Sequence, residues 1–463
     1  MAEDIAVTKF RDYLRVNTEQ PTPDYAGCQK FLFGLADELG IKRRAVEAVS
    51  GKPFIIMTIP GSEQHLSSLV LYSHTDVVPT FKDKWKYDPY SGHKDEQGNI
   101  YGRGTQDMKS VGSQYLEAIR RHFNRGKKQW LRTIHIVWAP EEEVGAVDGM
   151  EKFVKMPEFR ELNLGFMLDE GLATEGSKYK VYYAERNPWW IEITCEGSPG
   201  HGSKFVENTA GEKLKAPALG PMLTRSEIQN GTPSNYFLCC FRGINSEKED
   251  QPRPTTTVLL TPTTLPKAPP RPATTQSIIN SALDFREEQR SILKNDPSKR
   301  LGDVITLNLT KVEGGVLVNV LPEKFTLLLD IRLPPTANFK EMDERIAGWC
   351  KKAGPGVTCR FLVKTEIPFM TPTASDDPFW AAFEKSLRDE NCEFEKEIFT
   401  GATDSRFVRE QGYRSIGFSP MINTPSLLHD HNEYLNEAVF LRGVKIYETL
   451  IDNLANVKDV RIH

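Results

Sequence analysis

Hydrophobic and polar positions change period several times along this chain. From Glu3 to Arg15 the apolar residues Ile5, Val7, Phe10, Tyr13 and Leu14 recur at helical spacing. Phe31 to Leu39 predicts a second helix, stopped by Gly40. Pro53–Ile59 reads as a strand ended by Pro60-Gly61. Ser68–Ser73 does not alternate, which predicts a strand covered on both faces, as in the parallel sheets of α/β domains. Helical spacing returns from Ser110 to His122 through Val111, Tyr115, Leu116 and Ile119. Thr133–Trp138 and Leu164–Leu168 predict two more buried strands.

The pattern changes near Asn187. Trp190–Cys195 alternates, Ser277–Leu293 is helical, and Val304–Leu309 is a strand. Phe325, Leu327, Leu329 and Ile331 share one face of another strand, with Asp330 and Arg332 on the opposite face. A helix over Phe339–Cys350 and a strand over Val357–Val363 complete the order β-α-β-β-α-β of a ferredoxin-like unit. After Pro368 the first pattern resumes, with helices at Pro378–Arg388 and Phe407–Gln411. A strand at Ser415–Ser419 and a last helix from about Asn436 to Leu454 follow. The expected fold is α/β. A doubly wound catalytic domain is split between residues 1–186 and 367–463, and an α+β domain, 187–366, is inserted into it.

One segment fits neither pattern. Thr209 and Glu212 predict a capping box that opens a helix, yet Pro217 and Gly220-Pro221 follow at once. Residues 215–276 hold ten of the thirty prolines and little periodicity. The expectation is a disordered insertion, even an intron left unspliced in the gene model; a proline-rich docking segment is the alternative.

Composition narrows the function classes. The 463 residues are 39% hydrophobic and 26% charged, with a formal net charge of -4. The near balance points away from nucleic acid and acidic membrane surfaces. No apolar run approaches a membrane span, and the acidic N-terminus lacks the apolar core of a signal peptide. Seven scattered cysteines, without a CxxC pair, predict reduced thiols in a cytoplasmic protein and make a thiolate zinc site improbable.

The chemistry gathers where buried strands end. His74-Thr-Asp76 follows the first such strand, Glu141-Glu-Glu143 the second, and Asp169-Glu170 the third. Ligands of open α/β sheets bind at the carboxyl ends of strands. An isolated run of three glutamates is usually a solvated turn, and a lone histidine is usually structural. Carboxylates clustered at the ends of buried strands need a compensating cation, and with no thiolates at hand histidine and carboxylate donors suit zinc. A paired zinc site needs a bridging carboxylate, and such sites hydrolyse amides. Asp76, two residues after His74, is placed to accept the other ring N–H of that histidine.

The motifs Ser73-His-Thr-Asp-Val-Val-Pro79, Gly102-Arg-Gly-Thr-Gln-Asp-Met-Lys109, Pro140-Glu-Glu-Glu-Val-Gly145, Leu168-Asp-Glu-Gly171, Ser198-Pro-Gly-His-Gly202 and Leu428-His-Asp-His-Asn-Glu433 carry a family resemblance. They resemble the di-zinc family of acetylornithine deacetylase, succinyl-diaminopimelate desuccinylase and carboxypeptidase G, and within it the acylase subgroup. The resemblance covers the chain outside residues 215–276. It implies two Zn2+ per subunit: His74 and Glu170 on one, Glu143 and His429 on the other, with Asp107 bridging. His431 lies close to His429, and the spacing to Asn432-Glu433 favours His429. Glu142 is implied as the general base and Asp76 as the orienting residue. His201 of the inserted lid and dimerisation domain is implied to reach the other subunit of a homodimer and stabilise the oxyanion. Asn319, Arg332 and Arg406 are implied substrate contacts, Arg406 for a carboxylate. The implied reaction turns N-acyl-L-amino acids into a carboxylate and a free L-amino acid. The alternatives are a di-zinc dipeptidase or carboxypeptidase, or an inactive binding homologue whose lid is spoiled by the insertion.

Overall fold

The structure, a computed structural model, describes residues 3–214 and 278–458. Its larger sheet has eight strands. Their spatial order is Lys42–Val49, Lys52–Ile59, Ile134–Ala139, Ser68–His74, Leu164–Asp169, Arg414–Gly417, Tyr179–Glu185 and Phe394–Phe399. Ser68–His74 pairs in parallel with Ile134–Ala139 on one side and Leu164–Asp169 on the other. Arg414–Gly417 continues the parallel set. The first two strands add an antiparallel edge, so the sheet is mixed, with the expected parallel strands at its centre.

Every residue of Ser68–His74 and Ile134–Ala139 is buried, as their unbroken apolar runs predict for strands covered on both faces. The helix Lys109–Asn124 packs closely on these strands. A Cβ on Gly112 would fall 2.4 Å from the Trp138 ring, so only glycine permits this approach. The second helix spans Tyr25–Leu39 and begins earlier than its apolar spacing indicates. Asp24 caps it by accepting from the Gly27 N–H, and Gly40 ends it at φ 68°.

A second hydrophobic core has its buried members between Trp189 and Ala353. It fills the space between a four-stranded antiparallel sheet and the helices Ile278–Asn295 and Phe339–Ala353. The strand order is Thr306–Gly314, Lys324–Leu333, Asn187–Glu196, Val357–Lys364. The β-α-β-β-α-β succession read from the sequence is present. Thr209 and Glu212 form the expected reciprocal cap, with bonds of 2.9 and 3.1 Å, over the short helix Ala210–Leu214. The expected insertion, 215–276, lies outside the described residues.

Two side chains tie the parts where the chain crosses between them. Asn187 accepts from the Ile367 N–H at 2.7 Å and donates to the Ile367 carbonyl at 3.1 Å, clamping the outgoing crossover to the returning one. Arg186 donates to the Thr400 carbonyl of the large sheet's side and to Thr306 Oγ1 of the inserted sheet. Among the described residues, no helix is long and apolar enough to cross a membrane.

Candidate metal centre

The carboxyl ends of the three central parallel strands converge on one cluster. Two overlapping groups offer ligand atoms within 4.8 Å of one another: His74, Asp107 and Glu170, and Asp107, Glu143 and His429. Asp107 belongs to both. Its Oδ1 is 2.9 Å from His74 Nε2, and its Oδ2 is 3.4 Å from His429 Nε2. Glu170 lies 3.7 Å from His74 Nε2, and Glu143 lies 3.1 Å from His429 Nε2. These are the five residues anticipated as ligands, with one carboxylate turned to both sides. His431 packs instead edge-on against Phe81 at the rim, with ring centroids 6.0 Å apart.

Local sequence explains how each ligand is held. Asp107 sits on the loop between Tyr101 and the helix at Lys109. Buried Glu433 accepts from the backbone N–H groups of Gly104 at 3.0 Å, Gln106 at 2.5 Å and Asp107 at 3.3 Å, and pairs with Arg103 at 3.0 Å. The loop carrying His429 and the loop carrying Asp107 are therefore fastened by one carboxylate. Asp169 performs a similar task beneath Glu170. It accepts from the Glu170 N–H at 2.7 Å, Thr403 Oγ1 at 3.1 Å and Ser405 Oγ at 2.6 Å. Sequence reading passed over both residues as ligand neighbours. Their signal was adjacency to motif residues, without a donor pattern of their own.

The three successive glutamates divide their work. Pro140 ends the strand and Glu141 takes φ 70°, which sends consecutive side chains in different directions. Glu141 turns away to Lys52 at 2.8 Å and the Tyr25 hydroxyl at 2.9 Å, a structural ion pair. Glu142 and Glu143 enter a 3-10 turn whose two leading N–H groups donate to Asp76 at 3.2 Å each. Asp76 was expected to hold His74 through its carboxylate. The ring Nδ1 instead lies 2.9 Å from the Asp76 backbone carbonyl, and the carboxylate is 3.8 Å away. The Gln20 amide and the glutamate turn have taken that carboxylate, which makes Asp76 the anchor of Glu142 and Glu143.

Electrostatics show what the donors lack. Burial pushes the Glu142 carboxyl well above its usual value, helped by Glu143 and Asp404. Burial and Asp107 push Glu143 to about 7, and burial and Asp107 raise Glu170 strongly. Asp107 is held low despite burial, because His429 and His74 both bond to it. The clustered carboxylates raise both imidazoles, which marks an excess of negative charge among the donors. Glu143 Oε1 is buried with no hydrogen-bond partner. An all-nitrogen-and-oxygen donor set, one shared carboxylate and an orphaned buried oxygen fit a pair of zinc ions without any thiolate.

The remaining anticipated residues are dispersed. Arg406 stands at the rim, donating to the Gly145 carbonyl of the glutamate turn at 3.0 Å and to the Thr403 carbonyl at 3.1 Å. Arg332 pairs with Asp330 at 2.8 Å on the inserted sheet. His201 and Asn319 are exposed and adjacent, through the pairing of His201 with Val320 and a bond from the Gly202 N–H to the Asn319 carbonyl. Among the described residues no hydrogen bond or ion pair joins His201, Asn319 or Arg332 to the cluster within one chain.

The chain is 43% identical to aminoacylase-1A of Rattus norvegicus over 98% of its length and 97% of the relative's. It is 42% identical to aminoacylase-1 of Homo sapiens over 98% of its length and 96% of the relative's. Its fold matches an M20 metallo-carboxypeptidase from Sulfolobus solfataricus with TM-score 0.64 at 16% identity, over 98% of this chain and 100% of that one. It also matches a dinuclear metal-binding M20 peptidase of Bacillus subtilis with TM-score 0.55 at 13% identity, over 97% and 96% of the two chains. A family description matches residues 70–453, a span that starts inside the Ser68–His74 strand and takes in all five cluster residues. The chain belongs to the peptidase family M20/M25/M40.

Proposed function

We propose that this protein hydrolyses N-acyl-L-amino acids to a carboxylate and a free L-amino acid, using two zinc ions held by His74, Asp107, Glu143, Glu170 and His429. The observation that carries this reading is the pair of triads sharing Asp107, in a chain over two-fifths identical to aminoacylases along its length. Bound there, zinc supplies a Lewis acid for the acyl carbonyl and lowers the pKa of water.

The chain's own residues supply the rest. Glu142 is buried beside the cluster but outside both triads, and its raised pKa suits a group that gains and loses one proton per turnover. It takes the proton of the attacking water and returns it to the leaving amine. Asp76 keeps Glu142 in place by accepting from its backbone N–H. Arg406, at the rim, offers a bidentate partner for the carboxylate of the amino-acid portion. Asn319 and Arg332 approach from the inserted domain, residues 187–366, which acts as a lid.

His201 completes the site from a second copy of the chain. It is exposed on a two-stranded ribbon with Val320, beside the exposed apolar residues Phe205, Val316, Leu317 and Val318. Exposed apolar side chains on such a ribbon are what a homodimer interface would cover.

The decisive experiment measures metal content together with turnover of N-acetyl-L-methionine against a panel of dipeptides. About two zinc ions per chain, with N-acetyl amino acids preferred, is the expected result. A preference for dipeptides would replace the reaction with peptidase activity on the same metals. Full metal content with no turnover of either class would make the chain a binding homologue.

A further inference from the structure

Asp76 is fully buried, and its carboxylate accepts from three N–H groups. Two belong to the backbone of Glu142 and Glu143, the residues it anchors, at 3.2 Å each. The third is the side-chain amide of Gln20, which donates to Asp76 Oδ2 at 2.8 Å, the shortest of the three. Among the described residues Gln20 is the only side chain that donates a hydrogen bond to this carboxylate, since His74 Nδ1 serves the Asp76 backbone carbonyl and lies 3.8 Å from the carboxylate. The Gln20 nitrogen also lies 3.5 Å from Glu141 Oε1, so one amide stands between two buried carboxylates.

The chain fixes where Gln20 stands. Residues 17–20 run beside residues 75–77 as a strap joined by a single parallel bridge. The Gln20 N–H donates to the Val77 carbonyl at 2.9 Å, and the Val77 N–H donates to the Thr18 carbonyl at 3.0 Å. Thr18 Oγ1 donates to the Thr75 carbonyl at 2.6 Å. Gln20 itself is buried, so its side chain lacks the rotational freedom of a surface glutamine. A carboxylate turns about its Cβ–Cγ bond. The two turn N–H groups cannot fix that rotation independently, because they belong to the residues being placed. Gln20 comes from a separate part of the chain, and it holds the rotation in which Oδ1 meets Glu142 and Oδ2 meets Glu143.

We propose that Gln20 is a positioning residue for Glu142, acting through Asp76. The proposal rests on the reading of Glu142 as the base. A base must stand within hydrogen-bond reach of the proton it takes, and a misplacement of about 1 Å costs about 10²-fold in rate. Methionine in place of Gln20 keeps the length of the side chain and removes the donor. Asp76 then keeps only the N–H groups of the turn, and the turn loosens.

The test compares full-length, metal-loaded Q20M, E142Q and K52M with the unaltered protein on N-acetyl-L-methionine. Lys52→Met is the structural control: it removes an anchor of the neighbouring Glu141 and leaves Asp76 its three donors. Q20M should keep its metal content and lose kcat about 10- to 100-fold with KM little changed, because a misplaced base affects the chemical step. K52M should lower the thermal midpoint and leave kcat unchanged. Hydrogen exchange read by mass spectrometry gives a measure independent of turnover: the Glu142 and Glu143 amides should exchange faster in Q20M and at the unaltered rate in K52M. Unchanged kcat or unchanged exchange in Q20M would overturn the proposal. So would an equal fall of kcat in K52M, or loss of metal from Q20M, which would put Gln20 beneath the ligand Glu143 instead of the base. E142Q at full turnover would overturn the reading of Glu142 and the proposal with it, whereas a fully active Q20M beside an impaired E142Q would overturn the role of Gln20 alone. Should Q20M fail to fold by circular dichroism, Q20E, with the same shape and an acceptor in place of the donor, is held to the same outcomes.

Discussion

The two triads share Asp107 and differ in almost everything else. His74 ends the central strand, its side chain is fully buried, and its second ring nitrogen is engaged by a backbone carbonyl. Glu170 follows the neighbouring strand, with Asp169 bonded to its N–H. His429 sits on a loop at φ 59°, with 51% of its side chain exposed. One triad is thus prepared by the sheet itself. The other exists only while a surface loop holds its shape. The difference teaches that a paired metal site can join a stable half to an exchangeable half through a single carboxylate.

The largest expected effect removes what the halves share. Asp107→Ala should empty both positions and lower kcat beyond the about 10⁴-fold that marks the upper range for one acid–base group. Elemental analysis that still found two metals would break the comparison at its root. Next comes the pair of adjacent glutamates. Glu142→Gln should keep both metals and the fold while kcat falls about 10²–10⁴-fold with KM little changed. Glu143→Ala should lose the metal on the loop side. Retained metal in Glu143→Ala together with lost metal in Glu142→Gln would exchange the two assignments.

The asymmetry itself is open to a kinetic test. Chelator-driven loss of metal should be biphasic, with the His429 position emptying first, and His429→Ala should leave one tightly held ion where His74→Ala leaves none. Equal rates for both ions would refute a stable and an exchangeable half.

The smallest expected effect is in pH. In the metal-free protein Asp107 and Glu143 raise His429 from 6.5 to about 10. The stability it contributes is complete below pH 6.5 and is lost as pH rises towards 10. Burial raises Glu143 from 4.5 to about 7, so ionising it opposes folding as pH rises through that window. Both signs agree: the native state binds more protons, and the metal-free protein should become less stable from about pH 4.5 to pH 10. Metal ions displace these protons. Loaded protein should melt at a nearly constant temperature from pH 6 to pH 9, and metal uptake at pH 8 should release protons into a weakly buffered solution. Parallel melting curves for the two forms would show that the histidine carries no such proton.

Much of this was legible in the sequence, for reasons that differ by element. Ser68–His74 and Ile134–Ala139 are buried on both faces, which leaves a largely apolar run without alternation. The five cluster residues lie just beyond such strands or in specific motifs. Three strands of the large sheet were missed. Lys42–Val49 is an edge strand with five of its eight residues exposed, so its composition is that of a loop. Phe394–Phe399 is the opposite edge, and its Glu395 and Glu397 are paired with Lys180 of Tyr179–Glu185. Cross-strand charge pairs hold that edge, and charge leaves no hydrophobic period. Glu433, Asp169 and the carboxylate of Asp76 act by accepting backbone N–H groups. The partner of such a bond is set by how the chain returns in space, which residue spacing does not record.

Glu433 and His429 also govern when the site can exist during synthesis. Residues 1–186 carry four of the five cluster residues, yet the carboxylate that shapes the Asp107 loop lies more than 320 positions beyond it. At about 5–20 residues per second, a ribosome takes on the order of 15–65 s to travel from Asp107 to Glu433. Throughout that interval the nascent chain holds a histidine and several buried acids with neither their fastening nor their second imidazole. Both triads are therefore complete only once His429 and Glu433 have been made, and a chain terminated shortly before Leu428 would leave the ribosome with most of the donor residues and no paired site.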